Sequence, residues 1–233
     1  MLLPLITTIV LASPEDQVML NSSGETLHWA DASVPFRVNS GNLEGIAIAE
    51  VDAAVGGAAA AWSTASDVHV TLDRGDDTIG KGGLDEANVV YFSDDWTSSP
   101  DLLALTSSWS NEEGEMIEFD LAINADDHAW STTLAADTCD LQNTLTHEMG
   151  HVLGIDHDQV NLEATMFPNA TLGETIKRDL YDSDVAVAAF LYPERADESG
   201  VADHPFFACS AVDAQSLWLG VPALLFLSRR RKE

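Results

Sequence analysis

The sequence predicts an α+β protein, a twisted mixed sheet of about five strands packed on three helices. Two observations carry that prediction. Short alternating or β-branched runs recur through the first half of the body, while segments with apolar residues at helical spacing flank and close it. Their order is strand, helix, four strands, helix, an irregular stretch and a final helix, which gathers most strands ahead of the last helices. The chain has 233 residues, 45% of them hydrophobic. That is enough for one compact domain of about 150–200 residues with terminal segments to spare.

The first strand reads as VPFRVNS (34–40). Gly45 to Ala65 is Ala-rich and reads as a helix, with Ile46, Val51, Val55, Ala59 and Trp62 on one face. DVHVTLDR (67–74) alternates as a strand; NVVYFSD (88–94), LLALTSSWS (102–110) and MIEFDLAIN (116–124) follow, parted by Gly, Asp and Ser. Asp140 to Leu153 suits a helix stopped by Gly154. The last helix runs from Ser183 to Leu191, with Asp182 as its expected cap and Pro193 closing it. Trp29, Trp62, Trp109 and Trp130 read as core or half-buried aromatics.

Five segments are expected in all. Residues 1–12 (MLLPLITTIVLA) are apolar but too short to span a bilayer, and read as an export signal. Residues 13–27 are polar and read as a linker, 28–195 as the folded body, and 196–208 as a second, acidic linker. Residues 209–233 hold Cys209 and Ser210, a short apolar run and the cluster Arg229, Arg230, Arg231 and Lys232. Positive charge just past an apolar segment is retained on the cytoplasmic side, so this tail is expected to engage a membrane or sorting machinery.

Ten basic residues face 39 acidic ones, a net charge of −29. Such a surface repels nucleic acid, which needs clustered Lys and Arg. Two cysteines, Cys139 and Cys209, make neither a disulfide framework nor a thiolate metal cluster.

The stretch HEMGHVLGIDH (147–157) concentrates three of the chain's seven histidines. His147 and His151 lie four residues apart on a predicted helix, so their rings stack on one face and meet one ion. Glu148 adjoins His147 and reaches a water near that ion without ligating it. Gly154 permits a left-handed turn that brings His157 back as a third ligand. Three imidazoles with an open fourth position suit catalytic Zn²⁺. ATMFP (164–168) supplies Met166 shortly afterwards, the expected Met-turn. Asp-rich patches at 73–77, 94–95 and 126–127 make Ca²⁺ a second candidate ion, although none has EF-hand spacing.

On these residues the body resembles a matrixin-type metzincin, of the matrix metalloprotease superfamily. WADASVPFRVNS (29–40), AAAAWSTAS (58–66), LALT (103–106), FDLAIN (119–124) with Trp130, and RDLYDSDVAVAAFLYP (178–193) extend the likeness across 28–195. The resemblance implies a zincin catalytic domain in which His147, His151 and His157 bind zinc, Glu148 is catalytic and Met166 floors the site. It implies an endopeptidase acting on protein or peptide substrates laid along the edge strand near Leu103–Thr106; the chain is expected to be exported, from its two ends, and monomeric. The alternatives are a catalytically inactive metzincin that binds peptide or protein, and a zinc hydrolase of a non-peptide bond. Side-chain preference would come from a pocket near 164–172. Three departures stand out: Asp158 follows the third histidine where matrixins usually carry Ser, the His/Asp cluster of the animal enzymes' structural zinc is missing, and no prodomain cysteine switch is expected, Cys139 being badly placed beside the zinc helix to cap the metal. The tail resembles the MYXO-CTERM type of bacterial sorting signal.

Overall fold

The computed structural model describes residues 13–41 and 45–194. The export-signal segment, the acidic linker and the tail with Cys209 lie outside the described residues. Five strands form one sheet: β1 (Ser33–Asn39), β2 (Thr71–Asp77), β3 (Val89–Ser93), β4 (Ala104–Ser110) and β5 (Met116–Asn124), in the order β2-β1-β3-β5-β4. The β1–β2, β1–β3 and β3–β5 pairs are parallel, while β4 runs antiparallel to β5 and forms an edge. In β1 the alternation places Val34, Phe36 and Val38 in the core and their neighbours outward. A two-residue pair, β6 (Trp130–Ser131) with β7 (Cys139–Asp140), leads into the second helix.

Three helices pack on the sheet: α1 (Ile48–Ser63), α2 (Leu141–Val152) and α3 (Asp182–Leu191). The buried stripe of α1 is built from Val51, Ala54, Val55, Ala58, Ala59 and Trp62. Its small residues admit α2 closely, and Trp62 bridges the two by donating its indole N–H to the Thr146 carbonyl at 2.8 Å. Trp62 is fully buried, and Trp29, Trp109 and Trp130 are half-buried.

Some boundaries move, for local reasons. Helix α1 starts at Ile48 rather than Gly45, which sits at φ +83 in the turn before it. Strand β2 begins at Thr71, later than the alternation from Asp67 suggests. Asp67 is left-handed (φ 62), and the parallel register with β1 opens at Ser33–Thr71. The polar segment 13–27, expected as a linker, is tied to the body by main-chain bonds. Met19 N–H donates to Gly154 O and Asp156 N–H to Gln17 O, both at 2.8 Å, and Gln17 and Leu27 are buried. Polarity of the side chains hid this, because the bonds involve only backbone.

Candidate metal centre

Helix α2 carries the site. Its N-cap is Asp140, whose carboxylate accepts the Asn143 N–H at 2.9 Å and also pairs in two places with the Arg178 guanidinium. One turn separates His147 from His151, so both rings leave the same face. After α2 the chain reverses at Gly154, whose φ is +82 and where a Cβ would lie 2.3 Å from the Leu27 carbonyl oxygen. Both the dihedral and the contact require glycine there. The reversal brings His157 back, and the ligand atoms of His147, His151 and His157 all lie within 4.8 Å of one another.

The rings are held in one tautomer by carbonyls. His147 Nδ1 lies 2.7 Å from Thr165 O and His151 Nδ1 lies 2.8 Å from Ile155 O. A carbonyl only accepts, so each Nδ1 carries the proton and each Nε2 keeps its lone pair. His157 Nε2 stands 3.2 Å from His147 Nε2 and 3.1 Å from His151 Nε2. Tetrahedral ligation with Zn–N bonds near 2.0–2.1 Å separates ligand nitrogens by about 3.3 Å, so the imidazole set fits zinc. Burial pushes the His147 proton affinity well below the ordinary imidazole value and lowers His151 and His157 too, which favours the neutral ring that ligates.

Glu148 is buried at the cleft wall, and burial pushes its carboxyl up to about 7, against the opposing hydrogen bond from Thr106. The Thr106 hydroxyl donates to Glu148 Oε2 at 2.8 Å, linking the edge strand β4 to α2. Met166 is 0% exposed and packs against α2. Its approach depends on Gly150 inside α2, where a Cβ would stand 2.2 Å from Met166 Sδ and 2.9 Å from Trp62 Cζ2. The Met-turn is pinned to α3 by Asp184, whose carboxylate accepts N–H bonds from Thr165 (2.7 Å), Met166 (3.0 Å) and Tyr181 (3.0 Å). Asp184, three residues into α3, therefore does the work the sequence suggested for Asp182. Asp158 is buried too, and accepts the N–H groups of Val160 and Asn161 and the Ser183 hydroxyl.

The structure brings His147, His151, His157 and Glu148 to one cleft of about 700 Å³, with Gly154 at the turn and Met166 buried against α2 at Gly150. Thr106, Gly150, Thr165 and Asp184 were not foreseen. Only Gly150 left a trace in the sequence, as a helix-interior glycine that costs about 1 kcal/mol against alanine unless something needs the space. Among the described residues this trio is the group of three His, Cys, Asp or Glu side chains whose ligand atoms converge within 4.8 Å. Within the Asp-rich patches Asp77 pairs with Arg74, Asp94 and Asp95 pair with Lys81, and Asp127 accepts from Asn124.

An antiparallel edge strand above a helix bearing two histidines, a glycine turn to a third and a methionine packed against that helix define the metzincin class of zinc-metalloprotease domain. Within that class the chain belongs to the matrixin family, whose model matches residues 28–193. Part of the chain is also similar to Metalloendoproteinase 2-MMP of Arabidopsis thaliana, 36% identical over 66 residues. That match covers 28% of this chain and 17% of the plant protein.

Proposed function

We propose that this protein is a zinc-dependent endopeptidase that hydrolyses peptide bonds of extracellular proteins. The observation that carries the reading is the convergence of three Nε2 lone pairs beside a buried carboxylate, Glu148, in a cleft open along the β4 edge. Bound zinc supplies Lewis acidity toward a water and a scissile carbonyl. The chain's residues supply the rest. His147, His151 and His157 hold the ion. Glu148 takes the proton of the attacking water and passes it to the leaving nitrogen, and Thr106 orients its carboxylate. An extended substrate adds to β4 by main-chain pairing, since among the described residues that strand's outer side has no neighbour in the sheet. The protein acts as a monomer, is exported by residues 1–12, and is held at the cell surface by residues 209–233.

The test is cleavage of casein by the purified full chain, with metal content measured in parallel. Chelator should stop cleavage, zinc should restore it, and Glu148→Gln should bind zinc yet cleave nothing. Cleavage surviving in Glu148→Gln, or purified protein free of any transition metal, defeats the reading. Deleting 209–233 should release the protein into the medium; unchanged surface retention removes the anchoring role.

A further inference from the structure

The cleft holds one feature that the hydrolytic reading does not use. Lys177, in the short 3-10 turn Ile176–Arg178, is 2% exposed, although lysine is almost never fully buried unless paired. Among the described residues its ammonium forms no ion pair. It donates instead to two main-chain carbonyls, Phe167 O and, at 3.0 Å, Asn169 O. An ammonium has three N–H bonds, so one is left for something else. Lys177 lines the same cavity as His147 and Glu148, and no other Lys or Arg does.

The ammonium is also fixed in place. Its own backbone N–H donates to Asn143 Oδ1 of α2 at 2.8 Å, and the next residue, Arg178, is clamped to Asp140 at the start of α2. The carbonyls it grips belong to the segment that follows Met166 and walls the cavity. The lining of the cavity it shares includes the small or apolar Cys139, Pro168, Ala170 and Leu172 beside the polar Asn143 and Thr171. Burial lowers its proton affinity, while Glu174, Asp184 and Glu148 act at longer range to keep it charged. A side chain entering this cavity beside His147 thus meets a partly apolar wall and a desolvated cation held in place by two carbonyls. A neutral apolar side chain leaves that cation uncompensated; a carboxylate on a short apolar stem satisfies both wall and charge.

We infer that Lys177 is a specificity-determining residue, making this cavity select peptides that place an acidic side chain, glutamate above all, at one position flanking the scissile bond. The inference rests on the endopeptidase reading for the bond cleaved, not for the binding. The experiment profiles cleavage of a peptide library by the zinc-loaded full chain, comparing Lys177→Met and Lys177→Arg. Wild type should favour Glu over Leu at one position by at least tenfold. Lys177→Arg should keep the preference, and Lys177→Met should reverse the Glu:Leu ratio. A lysine that merely staples its loop would change turnover on all peptides alike and leave that ratio alone. An unchanged ratio in Lys177→Met, or wild type favouring Leu, overturns the inference. Binding of matched fluorescent Glu and Leu peptides to zinc-loaded Glu148→Gln separates the two claims. Tighter binding of the Glu peptide that disappears with Lys177→Met, in a protein that cleaves nothing, would sink the peptidase reading and keep the pocket; equal binding would sink the pocket.

Discussion

Replacing Gly150 by alanine sets two effects against each other, and the structure says which wins. In an exposed helix interior, Gly→Ala stabilises by about 0.8–1 kcal/mol. At Gly150 the added Cβ would stand 2.2 Å from Met166 Sδ and 2.9 Å from Trp62 Cζ2. Both neighbours are 0% exposed, and the Trp62 indole is fixed by its bond to Thr146 O at 2.8 Å. Overpacking of a filled core costs about 1–3 kcal/mol, and with the ring unable to retreat the upper part of that range applies. Net destabilisation of about 1–2 kcal/mol should follow, a fall in melting temperature of roughly 2–8 °C for a chain of this size. Urea unfolding followed by tryptophan fluorescence, with and without zinc, measures it. The cost should then shrink in a Met166→Ala background. That change alone costs about 2–5 kcal/mol by leaving a cavity, and with the sulfur gone Gly150→Ala should cost less than it does with Met166 intact, the contact with Trp62 Cζ2 at 2.9 Å remaining. If Gly150→Ala raises the unfolding midpoint with Met166 intact, the argument that this glycine exists to admit the methionine is wrong.

Metal removal should destabilise the fold in proportion to saturation: at free zinc a hundredfold above its dissociation constant, ligation adds about 2.7 kcal/mol, and His151→Ala should abolish the chelator-sensitive part of the melting temperature. Asp140→Ala removes the α2 cap, worth about 1 kcal/mol, and strands Arg178, so a loss of roughly 2–4 kcal/mol is expected in urea; a loss under 1 kcal/mol would show the pair contributes little. Asp120, 3% exposed, has its carboxyl raised from 3.8 to about 6 by burial. The folded state therefore keeps a proton the unfolded chain has released, and the stability tied to that group is complete below about pH 4 and lost as pH rises through about 6. Relative to Asp120→Asn, the native chain should lose roughly 3 kcal/mol across that window; a constant difference between the two proteins from pH 4 to 7 would refute it.

The ligand set was legible because its geometry is local. A four-residue interval on a helix and a glycine three residues beyond the second histidine determine where the imidazoles go, whatever surrounds them. The sheet was legible from alternation, and β4 as an edge followed from the family likeness rather than from its own half-buried, serine-rich sequence. What stayed hidden acts across the chain. Asp184 meets Thr165 N at a separation of 19 residues, Lys177 N meets Asn143 at 34, and Thr106 meets Glu148 at 42. A lone Asp, Lys or Thr carries no periodic signature, and each reads as a surface polar residue until the fold supplies its partner. The binding of segment 13–27 was hidden for a second reason, since main-chain hydrogen bonds leave no mark on residue type.

These long-range contacts explain why the centre is preorganised. The Thr165 carbonyl fixes the His147 ring, the Thr165 N–H is held by Asp184, and Asp184 is anchored in α3. The Ile155 carbonyl fixes His151, while the residues flanking it are tied to the 13–27 segment through Gly154 O and Asp156 N. Each imidazole that begins on α2 is thus oriented by a segment outside α2, and each such segment is in turn bound to a third element. An ion entering the centre needs no rotation of the two helical rings, because their Nδ1 protons are already committed. The ordering cost of assembling the ligands is met by folding rather than by metal binding, so zinc affinity should be sensitive to substitutions at Asp184 that touch no ligand. Asp184→Ala, which frees three N–H groups beneath the Met-turn, should weaken zinc by about tenfold or more, as loss of supporting contacts around ligating histidines typically does. Competition with a chromogenic chelator reads that directly, and unchanged affinity in a folded Asp184→Ala protein would mean that His147 is positioned by α2 alone.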